Sequence, residues 1–308
     1  MRPSDWCLDV GPAAQAELSA LARRLAGYEG SIEDLVPGDF ELPAVGRLMA
    51  EAKARLDHGL GFAILDRLPI EGLDERTAKA LAWLVVAHLG PIVHQKFKGR
   101  RLYEVRDTGT AMGHGVRRSI TNLDQEFHTD GGWLAAPPEI IALACIRQAK
   151  SGGMSQVASL LGGLEEMRTR HPELLGHLFE PLWWDRQAEH AAEDSPCSRN
   201  PIVAWDGTHM IVRYYDDYVR QGHKLMAEPI PERTRAALDA FRAILETPGR
   251  AIEVRLEPGQ IEIVNNHLLA HARTAFQDSD PERGRLLLRL WMRRDGGTEF
   301  EPAAATAP

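Results

Sequence analysis

Short β-like runs recur along the sequence from Arg101 onward, and this pattern limits the possible architecture more than any other feature does. The runs span residues 101–105, 140–147, 209–215, 251–256, 260–264 and 286–292, and Gly, Pro, Asn and Asp separate them. No glycine-rich phosphate loop of the Walker or Rossmann type accompanies them. Strands this short, with insertions between them, favour an antiparallel double-sheet jelly roll over a parallel sheet with crossover helices.

Helical periodicity dominates the N-terminal part of the chain and returns twice later. The predicted helices span residues 14–25, 45–56, 74–89, 160–178 and 231–245, and a short buried strand starts at Phe62. Asp74 has the residue type of an N-cap, and Pro172 marks a break in the fourth helix. The flanking helices and the β-rich remainder together predict a mainly β protein of the α+β class.

We predict one domain over residues 1–308. Residues 1–95 form a mostly helical part that packs on the core, and residues 96–293 form the jelly-roll core with its helical insertions. Residues 296–308 are rich in Ala and Pro and are predicted to be a flexible tail.

Charge and cysteine usage exclude several classes of partner. Lys and Arg total 36 against 44 Asp and Glu, so the formal net charge is −8, which disfavours nucleic acid and membrane surfaces as partners. No apolar run is long enough to cross a membrane, and the N-terminus has no apolar leader. Cys7, Cys145 and Cys197 form no CxxC pair and indicate reduced thiols. We therefore expect a cytoplasmic protein.

The segment from Glu126 to Trp133 is the first candidate for chemistry. If it is a strand, His128 and Asp130 point to the same face, and an imidazole nitrogen and a carboxylate oxygen converge as metal ligands. An isolated His-x-Asp is a weak signal, and its alternative is a surface turn with a hydrogen-bonded histidine. Two ligands do not hold a transition metal tightly, so a third must come from elsewhere.

A later segment offers two histidines for that place, His267 and His271. Their spacing matches the zinc-protease helix motif, but Leu268 stands where that motif needs a glutamate. Periodicity does not choose between them, although the turn-favouring pair Asn265-Asn266 indicates that His267 lies in a loop. Two histidines and one carboxylate on one face leave open positions that suit Fe(II).

An arginine pair on the last predicted strand is the next feature. In a strand, Arg285 and Arg289 share a face, while Leu286, Leu288 and Leu290 cover the other. A buried guanidinium needs an anion, and its planar fork suits a carboxylate. The anion is either a bound ligand or an internal Asp or Glu.

Taken together, these segments resemble the taurine dioxygenase-like (TauD/TfdA) family of Fe(II)/2-oxoglutarate-dependent oxygenases. The resemblance covers residues 45–293, in the family's order and approximate spacing. It implies a double-stranded β-helix, the cupin-like jelly roll. The motifs are Phe127-His-Thr-Asp130, Ser151-Gly-Gly-Met-Ser155, Asn265-Asn266 through Phe276, and Arg285-Leu-Leu-Leu-Arg-Leu-Trp291.

The resemblance assigns roles to individual residues. It implies that His128, Asp130 and His271 hold the iron and that Arg285 binds the distal carboxylate of 2-oxoglutarate. Ser155 stands where family members often have a Thr whose hydroxyl assists that carboxylate. Arg289 is similar in position to an arginine that meets an anionic substrate group in some members, and it is otherwise structural. Related halogenases have a small residue where this chain has Asp130, which disfavours halogenation.

The implied reaction consumes O2 and 2-oxoglutarate, releases succinate and CO2, and oxidises a C–H bond of a small polar molecule, by default through hydroxylation. Desaturation and cyclisation use the same iron site and stay open. Self-association is common in the family and is a weak expectation here. We expect a carboxylate- or amine-bearing substrate, with Asn122, Asp124, Gln125, Trp133, Arg213, Tyr214 and Arg289 as candidate contacts.

Two other classes of protein fit part of the pattern. A jelly-roll metal sensor explains the histidines and the carboxylate but not an interior arginine. A zinc hydrolase requires a general base beside the metal, and Glu126 is the nearby option because it would share the strand face of His128.

Overall fold

Helices come first along the chain and strands with helical insertions follow, as the sequence pattern predicts. The computed structural model describes residues 2–96, 99–113, 115–205, 207–280 and 283–293. The described helices are α1 (Gly11–Leu25), α2 (Pro43–His58), α3 (Glu75–Val86), α4 (Leu160–Arg170), α5 (Pro172–Leu175), α6 (Asp216–Leu225) and α7 (Glu232–Leu245). The described strands are β1 (Cys7–Asp9), β2 (Phe62–Asp66), β3 (Ile92–Val93), β4 (Tyr103–Val105), β5 (Gln125–His128), β6 (Ile140–Arg147), β7 (Ser151–Gly152), β8 (Ser155–Ser159), β9 (Leu182–Asp185), β10 (Cys197–Asn200), β11 (Val203–Trp205), β12 (Met210–Val212), β13 (Ile252–Val254), β14 (Ile261–Asn265), β15 (Leu269–Arg273), β16 (Phe276–Gln277) and β17 (Leu286–Met292).

Two sheets build the core. Across the described residues, the large sheet has seven strands in the order β1-β2-β14-β6-β17-β3, with β4 also paired to β17, and the small sheet has the order β13-β8-β15-β5. All of these pairs are antiparallel except β1 with β2. The predicted jelly roll with flanking helices is confirmed, as a pair of open sheets.

The two sheets pack on each other through one buried apolar cluster. The large sheet contributes Phe62, Ile64, Cys145, Val264 and Leu287, and the small sheet contributes Val157 and Leu269. This cluster occupies only part of the space between the sheets, and the polar side chains of the candidate site occupy the rest.

Strand periodicity explains why the large sheet has two different faces. Ile263 of β14 and Leu288 of β17 belong to the core beneath α1, α2 and α3, whereas Val264 and Leu287 lie between the sheets. The same period of two carries Arg289 to the inner face. The helices therefore bury the outer face, and the inner face is left for chemistry.

A second group of helices closes the opposite side of the molecule. Phe241 and Leu238 of α7 and Leu160 and Met167 of α4 are fully buried in a common cluster. These α7 residues, with Ile244 and Leu245, form the buried apolar face of that helix. The two helices thereby support the small sheet from its outer side, where α4 contacts β15.

Several predicted boundaries agree with the structure. Strands β6 and β17 begin and end at the predicted residues. The Asp74 Oδ1 atom accepts a hydrogen bond of 2.9 Å from the Thr77 N–H, as expected of an N-cap. The predicted helix at 160–178 divides at Pro172 into α4, α5 and a further 3-10 turn.

Helix α6 is an element that the sequence pattern did not predict. Only a narrow strip of its surface is buried, formed by Asp216, Val219, Gly222 and His223. The segment is amphipathic but mostly polar, and Val219 is the one apolar residue in its buried strip, so it lacks the apolar run that marked the other helices.

The structure describes no helix long and apolar enough to cross a membrane. The predicted tail at 296–308 lies outside the described residues.

Candidate metal centre and its cavities

Two histidines from neighbouring strands of the small sheet face each other between the sheets. His128 ends β5, His271 is the middle residue of β15, and the two are partners in the antiparallel register. Paired residues project to the same face of a sheet, and the ring centroids lie 4.2 Å apart. His271 is therefore the histidine that the fold brings to His128.

His267, the other histidine that the sequence left open, lies elsewhere. It occupies the turn between β14 and β15, as the preceding Asn pair indicated. Its Nε2 atom is 3.3 Å from the carbonyl oxygen of Pro137. The loop position predicted for His267 is confirmed.

Asp130 reaches the histidines from a turn, and the expectation of a continuous strand through it is wrong. Strand β5 ends at His128, and Gly131 takes a φ of 70° in the turn that follows. The side chain of Asn266 fixes that turn: its Oδ1 accepts from the Asp130 N–H at 2.9 Å, and its Nδ2 donates to the Asp130 carbonyl at 3.0 Å. The Asn that follows β14 thus sets the position of the carboxylate.

The three side chains form a compact and buried triad of metal-ligand type. His128 Nε2 lies 3.7 Å from Asp130 Oδ1, and His271 Nε2 lies 3.9 Å from Asp130 Oδ2. One ligand atom from each residue lies within 4.8 Å of the others. Metal–ligand bonds of about 2.0–2.2 Å bring neighbouring ligand atoms to similar separations. The triad therefore fits a single ion.

Hydrogen bonds prepare His128 for this role. Its Nδ1 lies 2.8 Å from the Glu126 carbonyl oxygen, to which it can only donate. The proton therefore resides on Nδ1, and Nε2 presents its lone pair toward Asp130 and His271. The Gln125 amide donates to that lone pair at 2.9 Å.

Asp130 is held in its ionised form. Arg289 Nη1 donates to Oδ1 at 3.1 Å, and the indole N–H of Trp291 donates to Oδ2 at 2.9 Å. Burial by itself raises the pKa of Asp130, but Arg289 and the two histidines, with the Trp291 hydrogen bond, lower it to about 2. The carboxylate is thus ready to bind a cation at neutral pH.

His271 is held neutral. Burial lowers its pKa to about 3, and the neighbouring His128 adds to that effect. Burial also lowers the pKa of His128. Two neutral imidazoles and one carboxylate are the protonation states that a divalent cation requires.

One cavity, here called the arginine cavity, opens from the histidines and is lined by His128, His271, Ser155, Arg273 and Arg285 among others. Arg285 is 3% exposed, and its Nε and Nη1 atoms have no hydrogen-bond partner among the residues that the structure describes. Burial lowers its pKa to about 10, so it keeps its charge at neutral pH. A buried guanidinium with unused donors fits a bound carboxylate.

The glycine pair before Ser155 lets the backbone pass close to Arg285. Gly153 has a φ of 66°, and a Cβ atom there would lie 3.0 Å from Arg285 Nε. Ser155 itself begins β8 and lines the same cavity as Arg285. The resemblance placed a hydroxyl beside this arginine, and the structure brings the two residues together.

Arg289 lies on the inner face of β17 and lines the same cavity as Arg285, which precedes that strand, but it has different partners. Besides Asp130, its Nε donates to Gln95 Oε1 at 2.8 Å. Its guanidinium also stacks over Tyr103 and Trp291. Of its two expected roles, the structural one fits these contacts, because Arg289 already has an anion in Asp130.

A second cavity, here called the aromatic cavity, meets the first at His128. It is lined by Arg117, Arg118, Ser119, Gln125, His128, Thr129, Asp130, Trp133, Tyr215, Tyr218, Arg289 and Trp291. The Tyr215 ring lies 4.9 Å from the His128 ring and stacks on Tyr218 at 3.9 Å. The Trp133 indole nitrogen is buried and has no hydrogen-bond partner within the described part of the chain. The triad thus stands where two cavities of different character meet.

The candidate substrate residues separate into two groups. Trp133, Gln125 and Arg289 line the aromatic cavity. The other four line neither cavity in the described part of the chain: Asn122 and Asp124 are exposed, Arg213 donates to the Ala135 carbonyl, and Tyr214 packs edge-on against Phe241. Asn122 and Asp124 lie near the triad in sequence, but the backbone directs all four side chains elsewhere.

Sequence reasoning missed the tyrosines of the aromatic cavity. Tyr218 lies on α6, which was not predicted, and Tyr215 is the N-cap residue of that helix. The sequence does contain a feature that marks this region, the cluster of three tyrosines in Tyr214-Tyr215-Asp-Asp-Tyr218.

The carboxylate of Glu126 does not face the triad, although its backbone carbonyl holds His128. Its carboxylate accepts from Arg242 Nη2 of α7 at 3.2 Å, and it lines neither cavity. The shared strand face expected for Glu126 and His128 is not realised at the level of the side chains. The zinc hydrolase alternative therefore has no base in the described surroundings of the triad.

The chain matches known proteins along nearly its whole length. The model of the taurine catabolism dioxygenase TauD, TfdA family matches residues 25–291. FR-33289 synthase of Streptomyces rubellomurinus is 30% identical over 309 aligned residues, which cover 98% of this chain and 89% of that protein. A uridine-5'-phosphate dioxygenase of a Streptomyces species is 30% identical over 174 residues, or 55% of this chain and 61% of that protein.

Solved structures with low sequence identity share the fold. Asparagine oxygenase in complex with Fe(II), 2S,3S-3-hydroxyasparagine and succinate has a TM-score of 0.71 at 19% identity, with 93% of each chain covered. The non-heme iron oxygenase OrfP in complex with Fe and alpha-ketoglutaric acid has a TM-score of 0.67 at 17% identity, again with 93% of each chain covered.

Proposed function

The chain belongs to the TauD/TfdA family of dioxygenases, which use Fe(II), 2-oxoglutarate and O2, and from this premise we propose that it hydroxylates an unactivated C–H bond of a small polar metabolite. The metabolite carries a carboxylate or an amine. The observation that carries the proposal is a buried triad at the junction of two cavities, one of which contains an arginine that forms no ion pair among the described residues and keeps two donors unused.

In this proposal His128, Asp130 and His271 hold Fe(II). The fit rests on their separations, on their burial and on protonation states that already match a divalent cation. When bound, the iron supplies the oxidising chemistry that couples 2-oxoglutarate decarboxylation to oxidation of the substrate. Arg289, Trp291 and the Glu126 carbonyl keep the ligands in place.

Arg285 binds the distal carboxylate of 2-oxoglutarate in the arginine cavity. The cavity runs from the two histidines to Arg285, so one end of a dicarboxylate meets the guanidinium while the other end faces the triad. The unused Nε and Nη1 donors of Arg285 form the fork that a carboxylate needs. A metal sensor that catalyses no reaction would not need an arginine with unused donors beside the metal site.

The substrate enters through the aromatic cavity. Beyond Tyr215 and Tyr218 lies an outer cavity of about 420 Å³, which presents charges of both signs from Arg118, Asp217 and Arg220. Such walls suit a small zwitterionic or anionic molecule. Asparagine oxygenase and OrfP, which share the fold, are known with hydroxyasparagine and hydroxy-L-Arg bound, and these products also favour hydroxylation over desaturation or cyclisation.

The reaction takes place in one catalytic domain, because α1, α2 and α3 complete the outer face of the sheet that carries Arg285. The acidic charge and the scattered cysteines support a cytoplasmic setting.

Succinate release tests the proposal. Purified protein with Fe(II), ascorbate, O2 and 2-oxoglutarate is incubated with a panel of amino acids, amines and small carboxylates. We expect one class to stimulate succinate release and to gain one oxygen atom by mass spectrometry. A product that lacks two hydrogens would replace hydroxylation by desaturation or cyclisation, and no succinate from any compound would contradict the enzymatic role.

A further inference from the structure

A glutamate stands on the inner face of the large sheet, where its neighbours are apolar. Glu262 is the second residue of β14, and its register partners are Ile64 in β2 and Leu143 in β6. It is 1% exposed. An ionisable side chain so deep in a sheet needs a reason, because burial of an unpaired carboxylate is costly.

Only one of the two carboxyl oxygens of Glu262 has a partner in the described structure. Oε2 accepts a hydrogen bond of 2.5 Å from the Ser155 hydroxyl. Oε1 is buried with no hydrogen-bond partner. The same Ser155 lines the arginine cavity, so Glu262 stands directly behind a wall of that cavity.

Arg285 is close enough to influence Glu262 but forms no ion pair with it among the described residues. The charge of Arg285 lowers the pKa of Glu262, while its own Nε and Nη1 atoms have no hydrogen-bond partner. Arg285 therefore attracts Glu262 electrostatically, while its Nε and Nη1 donors stay available for a ligand.

Few other charges face Glu262. Strands β2 and β6 present Ile64 and Leu143, β8 presents Ser155, and Arg285 lies in the segment just before β17. Burial, opposed by Ser155 and Arg285, raises the pKa of Glu262 to about 7. Cys145 of β6, which is influenced by Arg285, has a pKa raised by burial to about 12 and stays a thiol.

The protonation state of Glu262 decides what Ser155 offers to the cavity. A serine hydroxyl has one hydrogen to donate and two lone pairs to accept. When Glu262 is ionised, that hydrogen is held by Oε2, and only lone pairs remain for the cavity. When Glu262 is protonated, its own O–H donates to Ser155 Oγ, and the Ser155 hydrogen is free.

We propose that Glu262 is a positioning residue for the co-substrate, which in its neutral form turns the Ser155 hydroxyl into a donor for the distal carboxylate of 2-oxoglutarate. This inference rests on the proposed function of Arg285. In the ionised form, Glu262 competes for both donors, the Ser155 hydroxyl and the Arg285 guanidinium. Binding of the dicarboxylate therefore favours the protonated form and takes up a proton above neutral pH.

Equilibrium binding tests the inference without turnover. The protein is loaded with Fe(II) under argon and titrated with 2-oxoglutarate by calorimetry from pH 6 to pH 8.5, in buffers with different ionisation enthalpies. We expect the Kd to rise by about tenfold across this range, as befits the loss of one charge-assisted hydrogen bond. We also expect net proton uptake on binding at pH 8.

Glu262→Gln is the informative variant, since its amide stays neutral and can donate to Ser155 Oγ at every pH. We expect its Kd to vary much less with pH and its proton uptake at pH 8 to disappear. Glu253→Gln is the matched control, because Glu253 is an exposed glutamate on the adjoining β13, and it should reproduce the wild-type profile. Ser155→Ala should weaken binding at pH 6, where the free hydroxyl contributes.

The outcomes distinguish the proposed role of Glu262 from the proposed role of Arg285. Binding of 2-oxoglutarate with the same pH profile and proton uptake in wild type and Glu262→Gln would overturn the role of Glu262 and leave Arg285 untouched. Absence of binding at every pH in wild type would overturn the assignment of Arg285 and this inference with it.

Discussion

His128 and His271 are register partners across β5 and β15, with their ring centroids 4.2 Å apart. One antiparallel pairing therefore places two of the three proposed iron ligands. A shift of one residue in that register would turn His271 to the outer face of the small sheet. The correct pairing of β5 with β15 is therefore a requirement of both the small sheet and the metal site.

The first prediction separates the two histidines of the distal segment. His271→Ala should abolish iron binding and turnover, because a buried triad that loses one ligand no longer holds the ion tightly. His267→Ala should largely preserve both, since His267 lies in the turn beside Pro137. Iron content after dialysis, measured beside succinate release, gives the answer. Loss of iron in His267→Ala with retention in His271→Ala would show that the proposed ligand set is wrong.

The metal segments were predictable because each contains a short local pattern. His128 and Asp130 are two residues apart, and the spacing of Arg285 and Arg289 follows the period of a strand that the sequence shows clearly. The turn at Asp130 was not predicted, since it depends on Asn266, which is distant in sequence and reaches it only in the folded chain.

The aromatic cavity was not predicted from the sequence, for a different reason. Tyr218 lies on α6, a short and mostly polar helix with few buried apolar side chains, and Gln95 supports Arg289 from a loop after β3. Side chains that act through tertiary contacts of irregular segments leave little trace in sequence periodicity. Glu262 was overlooked because it interrupts an otherwise apolar strand at a single position.

A second prediction concerns Arg289. We expect Arg289→Met to weaken iron binding by about 10–100-fold, the usual effect of removing a group that orients a metal ligand. The reason is that Asp130 loses the Nη1 hydrogen bond and the nearby charge that lowers its pKa. Iron titration under argon measures the change. A variant that binds iron normally but needs much more substrate would instead indicate that Arg289 contacts the substrate.

A third prediction concerns Arg285. Arg285→Ala should raise the KM for 2-oxoglutarate by about 10–100-fold, because a charge-assisted and bidentate contact is lost. Iron content should stay unchanged, since Arg285 contacts no member of the triad. Arg235→Ala, at an exposed position of α7, controls for the loss of one positive charge. An unchanged KM in Arg285→Ala would refute its proposed role.

A fourth prediction assigns the substrate to the aromatic cavity. Tyr215→Leu should raise the substrate KM by up to about tenfold, the scale of a lost aromatic contact. Binding of 2-oxoglutarate should be unaffected, because Tyr215 lies outside the arginine cavity. Tyr214→Phe is the matched control, since Tyr214 packs on Phe241 away from both cavities. Equal effects of the two substitutions would argue against this entrance for the substrate.

The last prediction concerns stability rather than binding. Burial raises the pKa of Glu262 from its ordinary value of 4.5 to about 7 in the folded chain. Below pH 4.5 the carboxyl is neutral in both states, so its ionisation does not affect folding. As the pH rises from 4.5 through 7, the unfolded chain ionises first, and the folded state loses stability relative to it.

Glu262→Gln removes this titration, so the variant should become progressively more stable than wild type as the pH increases. We expect the difference in the free energy of unfolding to grow by about 3 kcal/mol between pH 4.5 and pH 8. Urea unfolding at a series of pH values measures it, and Glu253→Gln, on exposed β13, should follow the wild type throughout. A difference that does not change with pH would mean that Glu262 titrates as an ordinary carboxyl, and its influence on Ser155 would then end well below neutral pH.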